Sequence, residues 1–120
     1  MSEVLHLNVF DLDNLPEPHV SEPAPGRLVS GRPVFRTWEL DRDDAGRVTS
    51  GVWEATPGSW ISIKDGAWEF ATLLSGLVEI AEDGAQPRTL RAGDSFVLRP
   101  DFKGTWTVHE TVRKLWVIRS

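Results

Sequence analysis

The sequence predicts an all-β chain folded as a sandwich or small barrel of the jelly-roll kind, on three observations. From Arg32 onward, short runs rich in tryptophan, valine, isoleucine, threonine and phenylalanine alternate with clusters of turn residues. No segment sustains an apolar period of 3.6 residues, apart from a short turn near Asp11–Leu15. Finally, nine runs fit into roughly ninety residues, the strand density of a sandwich or small barrel.

In chain order the runs are Val34–Leu40, Val48–Ala55, Trp60–Ile63, Glu69–Leu74, Leu77–Ala81, Gln86–Leu90, Ser95–Leu98, Gly104–Glu110 and Lys114–Ile118. Between them lie DRDDAG (41–46), TPG (56–58), KDG (64–66), SG (75–76), EDG (82–84), AGD (92–94) and RPDFKG (99–104). Glycine and aspartate suit such corners because they supply positive φ and side-chain-to-backbone hydrogen bonds. Residues 1–30 read differently. They hold five acids and one base, and four of the eight prolines, concentrated in LPEPHVSEPAP. Fixed φ and missing N–H groups discourage both helix and central strand there. Residues 1–30 are therefore expected to form an N-terminal arm: an extended piece around Val4–Phe10, then a proline-rich connector. The apolar Val4, Leu5, Leu7, Val9 and Phe10 predict that the start of the arm docks on a surface. Residues 31–120 form the domain.

Composition excludes several functions. With no cysteine there is no disulfide, cysteine nucleophile, zinc ribbon or iron–sulfur cluster. Three histidines (His6, His19, His109) are too few and too scattered for a three-histidine metal site. Thirteen basic against eighteen acidic residues, a net charge of −5, opposes nucleic-acid binding. No apolar run is long enough to span a bilayer, and the first residues lack a basic start and a small-residue cleavage site. A soluble cytoplasmic protein is the expectation. No G-x-S-x-G setting surrounds a serine, and no glycine loop precedes a helix to cradle phosphate. Six tryptophans and no tyrosine mean that nearly all the large aromatic area carries only an indole donor.

Four blocks in order carry a resemblance. Gly51, Trp53, Glu54, Pro57 and Gly58 fit G-x-W-E-x-x-P-G, and Glu69, Phe70, Leu74, Gly76 and Val78 fit a following E-F-x-x-x-L-x-G-x-V. Gly93, Asp94, Phe96, Phe102, Gly104 and Trp106 make a third block, which Glu110, Arg113 and Lys114 close. Over about residues 30–118 the chain resembles the single-domain cupins of the ureidoglycine aminohydrolase-like group. The resemblance implies a double-stranded β-helix, a jelly-roll barrel that is often dimeric, and leaves activity open because many chemistries share the scaffold. In metal-binding cupins the first motif supplies two histidines and a glutamate, and the second supplies another histidine. Registered on Glu69 and Gly76, the histidine pair falls on Ser62 and Lys64; registered on Gly93, the last histidine falls on Gly104. One ligand of four remains, Glu69, and a lysine stands where a ligand belongs. No metal and no other cofactor is expected. In the same register Arg99 and Asp101 replace a proline and a glycine, so the 99–104 loop is expected to depart from the family's shape.

The resemblance points Glu69 into the barrel mouth, where a carboxylate must be solvated or paired. Lys64, across the KDG corner, is the candidate partner. Two readings stand side by side: a salt bridge replacing the metal structurally, or a pair that orients a polar ligand or transfers a proton. Strand parity places Trp60 with Ser62 and Trp106 with Gly104. If those positions face inward, both indoles line the cavity, as core filler or as ligand walls. Trp53 and Trp116 are less determined, and Trp38 and Trp68 have no assigned place. His109, opposite in parity to Trp106 and Val108, belongs on the outer face, and Arg113 or Lys114 is expected to meet a carboxylate such as Glu54 or Glu110. The site expected from the sequence is thus Trp60, Ser62, Lys64, Glu69 and Trp106, with Lys64 and Glu69 as the groups for any proton transfer. The function expected is metal-free binding of a small organic molecule. The alternatives are an aminohydrolase-like enzyme acting on a ureido or related nitrogenous metabolite, or a non-catalytic dimeric interaction module. A homodimer is the expected assembly, with neither nucleic acid nor membrane as partner.

Overall fold

Alternating apolar and polar residues build nine strands in the computed structural model, which describes residues 5–120. They are β1 (His19–Ser21), β2 (Leu28–Gly31), β3 (Phe35–Asp43), β4 (Val48–Ala55), β5 (Gly58–Ile63), β6 (Trp68–Glu82), β7 (Arg88–Arg91), β8 (Ser95–Leu98) and β9 (Lys103–Arg119), with one short helical turn, Asp44–Gly46, between β3 and β4. Every strand pairing is antiparallel. The order along the sheet is β1-β3-β4-β9-β5-β2, while β6 pairs with β7, β8 and β9. Both edges of β9 are therefore used. One edge carries β4 on its C-terminal half and β5 on its N-terminal half; the other carries β6 along its whole length. This is the all-β barrel that the sequence predicts. Among the described residues no helix is long and apolar enough to cross a membrane.

Two breaks in the expected strand list are absent. Glu69–Leu74 and Leu77–Ala81 are one strand, β6, and Gly104–Glu110 and Lys114–Ile118 are one strand, β9. The register explains why β6 looks interrupted. Leu73 stands opposite Lys114, but Val78 stands opposite Val108, with shifts at Leu73, Ser75 and Leu77. The irregularity moves the inward positions of β6 from odd (Glu69, Ala71, Leu73) to even (Val78, Ile80). A one-residue change of phase erases the alternation a single strand should show and imitates a turn. Gly76 sits in the bulge at φ +93°, where a Cβ would overlap the Thr111 carbonyl and lie 2.6 Å from the Val112 Cα.

Residues read as the arm contribute two short outermost strands, β1 against β3 and β2 against β5. Outer positions suit this segment, because proline is tolerated where a ladder hydrogen bond is not required. Further upstream, the Asn8 side chain donates to the Leu40 carbonyl at 2.9 Å and to Asp41 at 3.0 Å. The Trp38 indole donates to the Pro16 carbonyl at 2.6 Å. Phe10 borders a small hollow shared with Phe70, Thr72, Leu115 and Val117. Docking thus holds for Asn8, Phe10 and Pro16, whereas Leu5, Leu7 and Val9 stay exposed and Val4 lies outside the described residues. Inside the barrel, Leu73, Val78, Ile80, Phe102, Val108 and Val112 pack into one apolar cluster with Trp60 and Trp106. Along β9 the inward face then changes character: Val108 and Val112 are core, while Lys114, Trp116 and Ile118 line a cavity.

Because residue 76 must be left-handed and lies against backbone, Gly76→Ala is expected to destabilise the fold by about 2 kcal/mol or more. Urea denaturation checks this; an unchanged midpoint would show that the bulge is not held as described.

Candidate functional site

The cavity has a volume of about 270 Å³ and is lined by Thr37, Thr49, Trp53, Trp60, Ser62, Glu69, Leu98, Trp106, Lys114, Trp116 and Ile118. Six strands supply these side chains, and pairing accounts for most of them. Directly opposed residues share a face of a sheet. Lys114 is opposite Trp53 on β4 and Leu73 on β6, Trp53 is opposite Thr37 on β3, and Ile118 is opposite Thr49. On the other half of β9, Trp106 is opposite Trp60 and Gly104 is opposite Ser62. Glu69 enters from the start of β6, between Ile118 and Leu98.

At the centre is one carboxylate held by two ammonium groups. Lys64 Nζ donates to Glu69 Oε1 at 2.7 Å, and Lys114 Nζ donates to Oε2 at 2.6 Å. The Glu69 side chain is only 5% exposed, with Lys64 at 11% and Lys114 at 8%. Burial pushes the Glu69 carboxyl up, but the attraction of Lys114 and Lys64 and their hydrogen bonds outweighs it, so the group is held below the usual carboxylate range. Burial also pushes Lys114 below the ordinary lysine value; Glu69 opposes that shift and Lys64 adds to it. Lys64 reaches the cluster from a turn after β5. Its N–H donates to the Phe102 carbonyl at 3.0 Å, its carbonyl accepts from Ala67, and Gly66 N–H donates to the Pro100 carbonyl. The KDG corner is thereby tied to the 99–104 loop, whose own turn closes from Phe102 N–H to the Arg99 carbonyl at 2.9 Å.

Around the charges stands an aromatic wall. Lys114 Nζ lies 4.5 Å from the Trp53 ring centroid and 4.7 Å from that of Trp106, within the range of cation–π attraction. Trp60 and Trp106 are near-parallel at 5.9 Å and 22°, and Trp53 meets both edge-on. The indole N–H groups of Trp106 and Trp116 are buried with no acceptor among the described residues.

Of the five residues expected from the sequence, Trp60, Ser62, Glu69 and Trp106 line the cavity, and Lys64 joins them through Glu69 without lining it. Lys114, Trp53 and Trp116 were missed as site residues. Their signal is parity: Trp106, Lys114 and Trp116 all fall on even positions of one continuous strand, β9. The remaining tryptophans lie elsewhere. Trp38 is buried beneath the arm with the Arg113 guanidinium 5.1 Å from its ring, and Trp68 is 37% exposed. Arg113 also bonds Glu54 at 3.0 Å, a carboxylate it shares with Arg36 at 3.2 Å. His109 is exposed and lies 3.3 Å from Glu79.

These residues do not fit the metal of metal-binding cupins. At the ligand positions stand Ser62, Lys64, Glu69 and Gly104, and the one carboxylate already has an ammonium on each oxygen. Position 104 also has no room for a side chain: a Cβ there would overlap the Ala81 carbonyl and lie 2.8 Å from the Phe102 ring. Among the described residues no group of three or more histidine, aspartate or glutamate side chains is placed to hold an ion.

The family model for the EutQ-like cupin domain matches residues 42–116. No curated protein matches the sequence. Among solved structures, a DUF861-family protein of unknown function from Pseudomonas syringae is similar with a TM-score of 0.79 and 29% identity; the match covers 90% of this chain and 46% of that one. The chain therefore spans about half the length of that relative. The EutQ protein of Clostridium difficile matches with a TM-score of 0.63 and 18% identity, over 72% of this chain and 63% of its own. A predicted oxalate decarboxylase from Thermotoga maritima matches with a TM-score of 0.69 and 16% identity, over 92% and 97%. The last two likenesses establish the fold alone.

Removing the carboxylate leaves two buried ammonium groups side by side, so Glu69→Gln is expected to cost about 3–5 kcal/mol in urea denaturation at neutral pH. The pH dependence carries the sign. Since the folded state holds the Glu69 carboxyl below its unfolded value, its contribution is complete at neutral pH and is lost as pH falls through the folded value. The gap between wild type and Glu69→Gln should narrow in acid; a gap independent of pH would contradict an ionised Glu69.

Proposed function

Since the chain belongs to the EutQ-like cupin domain family, whose scaffold hosts many chemistries, we propose that the protein binds a small organic molecule in its barrel cavity without a metal ion. One observation carries this reading: a cavity walled by tryptophans in which Lys64, Glu69 and Lys114 occupy the place of a metal centre. Concave, mostly apolar sites with a few convergent polar groups are the usual receptors for small molecules. The polar groups here are the Lys114 ammonium, the Glu69 carboxylate and the hydroxyls of Thr37, Thr49 and Ser62. Hydrolysis of a ureido compound, which the sequence blocks raise as an alternative, needs an acid or base free to reach the substrate. Glu69 has both oxygens engaged, and that engagement supports binding over catalysis.

A second reading, an interaction module, is favoured by the arm. Leu5 and Leu7 are 80% exposed and Val9 is 76% exposed, three apolar side chains at alternate positions of a strandless segment. If that surface joins two copies, deletion of residues 1–10 converts a dimer to a monomer in light scattering.

A thermal-shift screen of metabolites tests the cavity, because a ligand of the native state raises its apparent stability. The expected result is a compound that raises Tm in wild type and has no effect on Ser62→Trp, whose side chain fills the cavity. A response that survives the substitution places the site elsewhere. Elemental analysis is expected to find well below one equivalent of transition metal; a stoichiometric metal would overturn the metal-free reading.

A further inference from the structure

By composition alone, a pocket with tryptophan walls and a buried glutamate is a receptor for cations, since π faces and a carboxylate both attract positive charge. In this cavity the chain itself has taken up those attractions. The Lys114 ammonium stands over Trp53 and Trp106, at 4.5 and 4.7 Å from their centroids. Glu69 has one ammonium on each oxygen, at 2.7 and 2.6 Å. Among the lining residues only Glu69 and Lys114 carry charge, and Lys64 stands behind Glu69. Two ammonium groups against one carboxylate leave a surplus of one positive charge. An entering cation would meet that surplus with no free counter-charge, beside charged groups that are themselves largely buried and so weakly screened. An anion would meet the opposite. The three hydroxyls that line the cavity can donate to an anion as readily as they accept, so the charge balance decides the preference.

We infer that the cavity takes a small organic anion, a carboxylate on a planar apolar body, with the Lys114 ammonium facing the anion and the tryptophans walling the body. This rests on the reading of the cavity as a ligand site. It names the ligand class and reverses the preference that the aromatic wall and Glu69 would have by themselves.

Benzoate, benzamide and benzylamine share one ring and carry negative, zero and positive charge, so titration of the full chain with each, followed by calorimetry, isolates charge from shape. Benzoate is expected to bind about tenfold or more tighter than benzamide, with benzylamine weakest. Lys114→Met, an apolar side chain of similar length, is expected to weaken benzoate about tenfold and to close the gap between benzoate and benzamide; a gap that persists overturns the role of the Lys114 ammonium. Lys64→Met removes the same surplus charge and serves if the first variant does not fold. Benzylamine binding as tightly as benzoate, or equal affinity for benzoate and benzamide, overturns the anion assignment while leaving the ligand site intact. If none of the three binds, the charge of the compounds returned by the thermal-shift screen decides: anions support the assignment, and cations or neutral compounds overturn it. An empty screen overturns the ligand site itself and the assignment with it.

Discussion

The carboxylate of Glu69, held between Lys64 and Lys114, is the interaction on which the interior depends. A lone buried carboxylate costs several kcal/mol, and so does each buried ammonium, so Glu69 needs a lysine beside it and both lysines need Glu69. Their union joins the turn after β5 and the start of β6 to the C-terminal half of β9, 45 residues further along the chain. It also sets the chemistry of the cavity. Both carboxylate oxygens are engaged, a cation already stands over two indole rings, and the cluster keeps one surplus positive charge. A divalent ion at the same place would find repulsion where ligands are required.

That cluster forms because β9 is a single strand of seventeen residues with both edges paired. Its even positions other than the exposed Glu110 face inward, first as core (Val108, Val112) and then as cavity wall (Lys114, Trp116, Ile118). Its partner β6 cannot hold one phase over the same length. The bulge at Ser75–Gly76 absorbs the mismatch, which lets Glu69 and Val78 both face inward although their positions differ in parity. The two features are coupled: without the phase change, either Glu69 would miss Lys114 or Val78 would leave the core.

How much of the site was legible follows from that geometry. Trp60, Ser62, Glu69 and Trp106 were readable because parity within one short strand orders neighbours correctly and the cupin resemblance points those positions inward. Lys64 was readable as a partner of Glu69 because the two are separated only by a tight corner. Lys114, Trp53 and Trp116 were not. The alignment of Lys114 and Trp116 with Trp106 passes through HETVRK, a polar stretch that reads as a break between strands; β9 runs on through it although its register against β6 shifts there, and Trp53 joins the group only through its pairing with Lys114. Parity is reliable only as far as strand continuity is known, and continuity is decided by the partner strand. The cavity hydroxyls of Thr37 and Thr49 had no signal at all, since both reach it through cross-strand pairing with β4 and β9.

By itself the sequence determined the β class, the location of most corners, the poverty in metal ligands and the distinct composition of residues 1–30. Those properties are local or compositional: alternation, glycine and proline placement, and counts of residue types act within a few positions. Only the tertiary structure decided that four apparent runs are two long strands, that the arm supplies two outermost strands, and that Glu69 answers to two lysines, one of them 45 residues away. Pairing of that kind depends on register between strands distant in the chain. A register is fixed by the sum of many cross-strand contacts and carries no mark at any single residue.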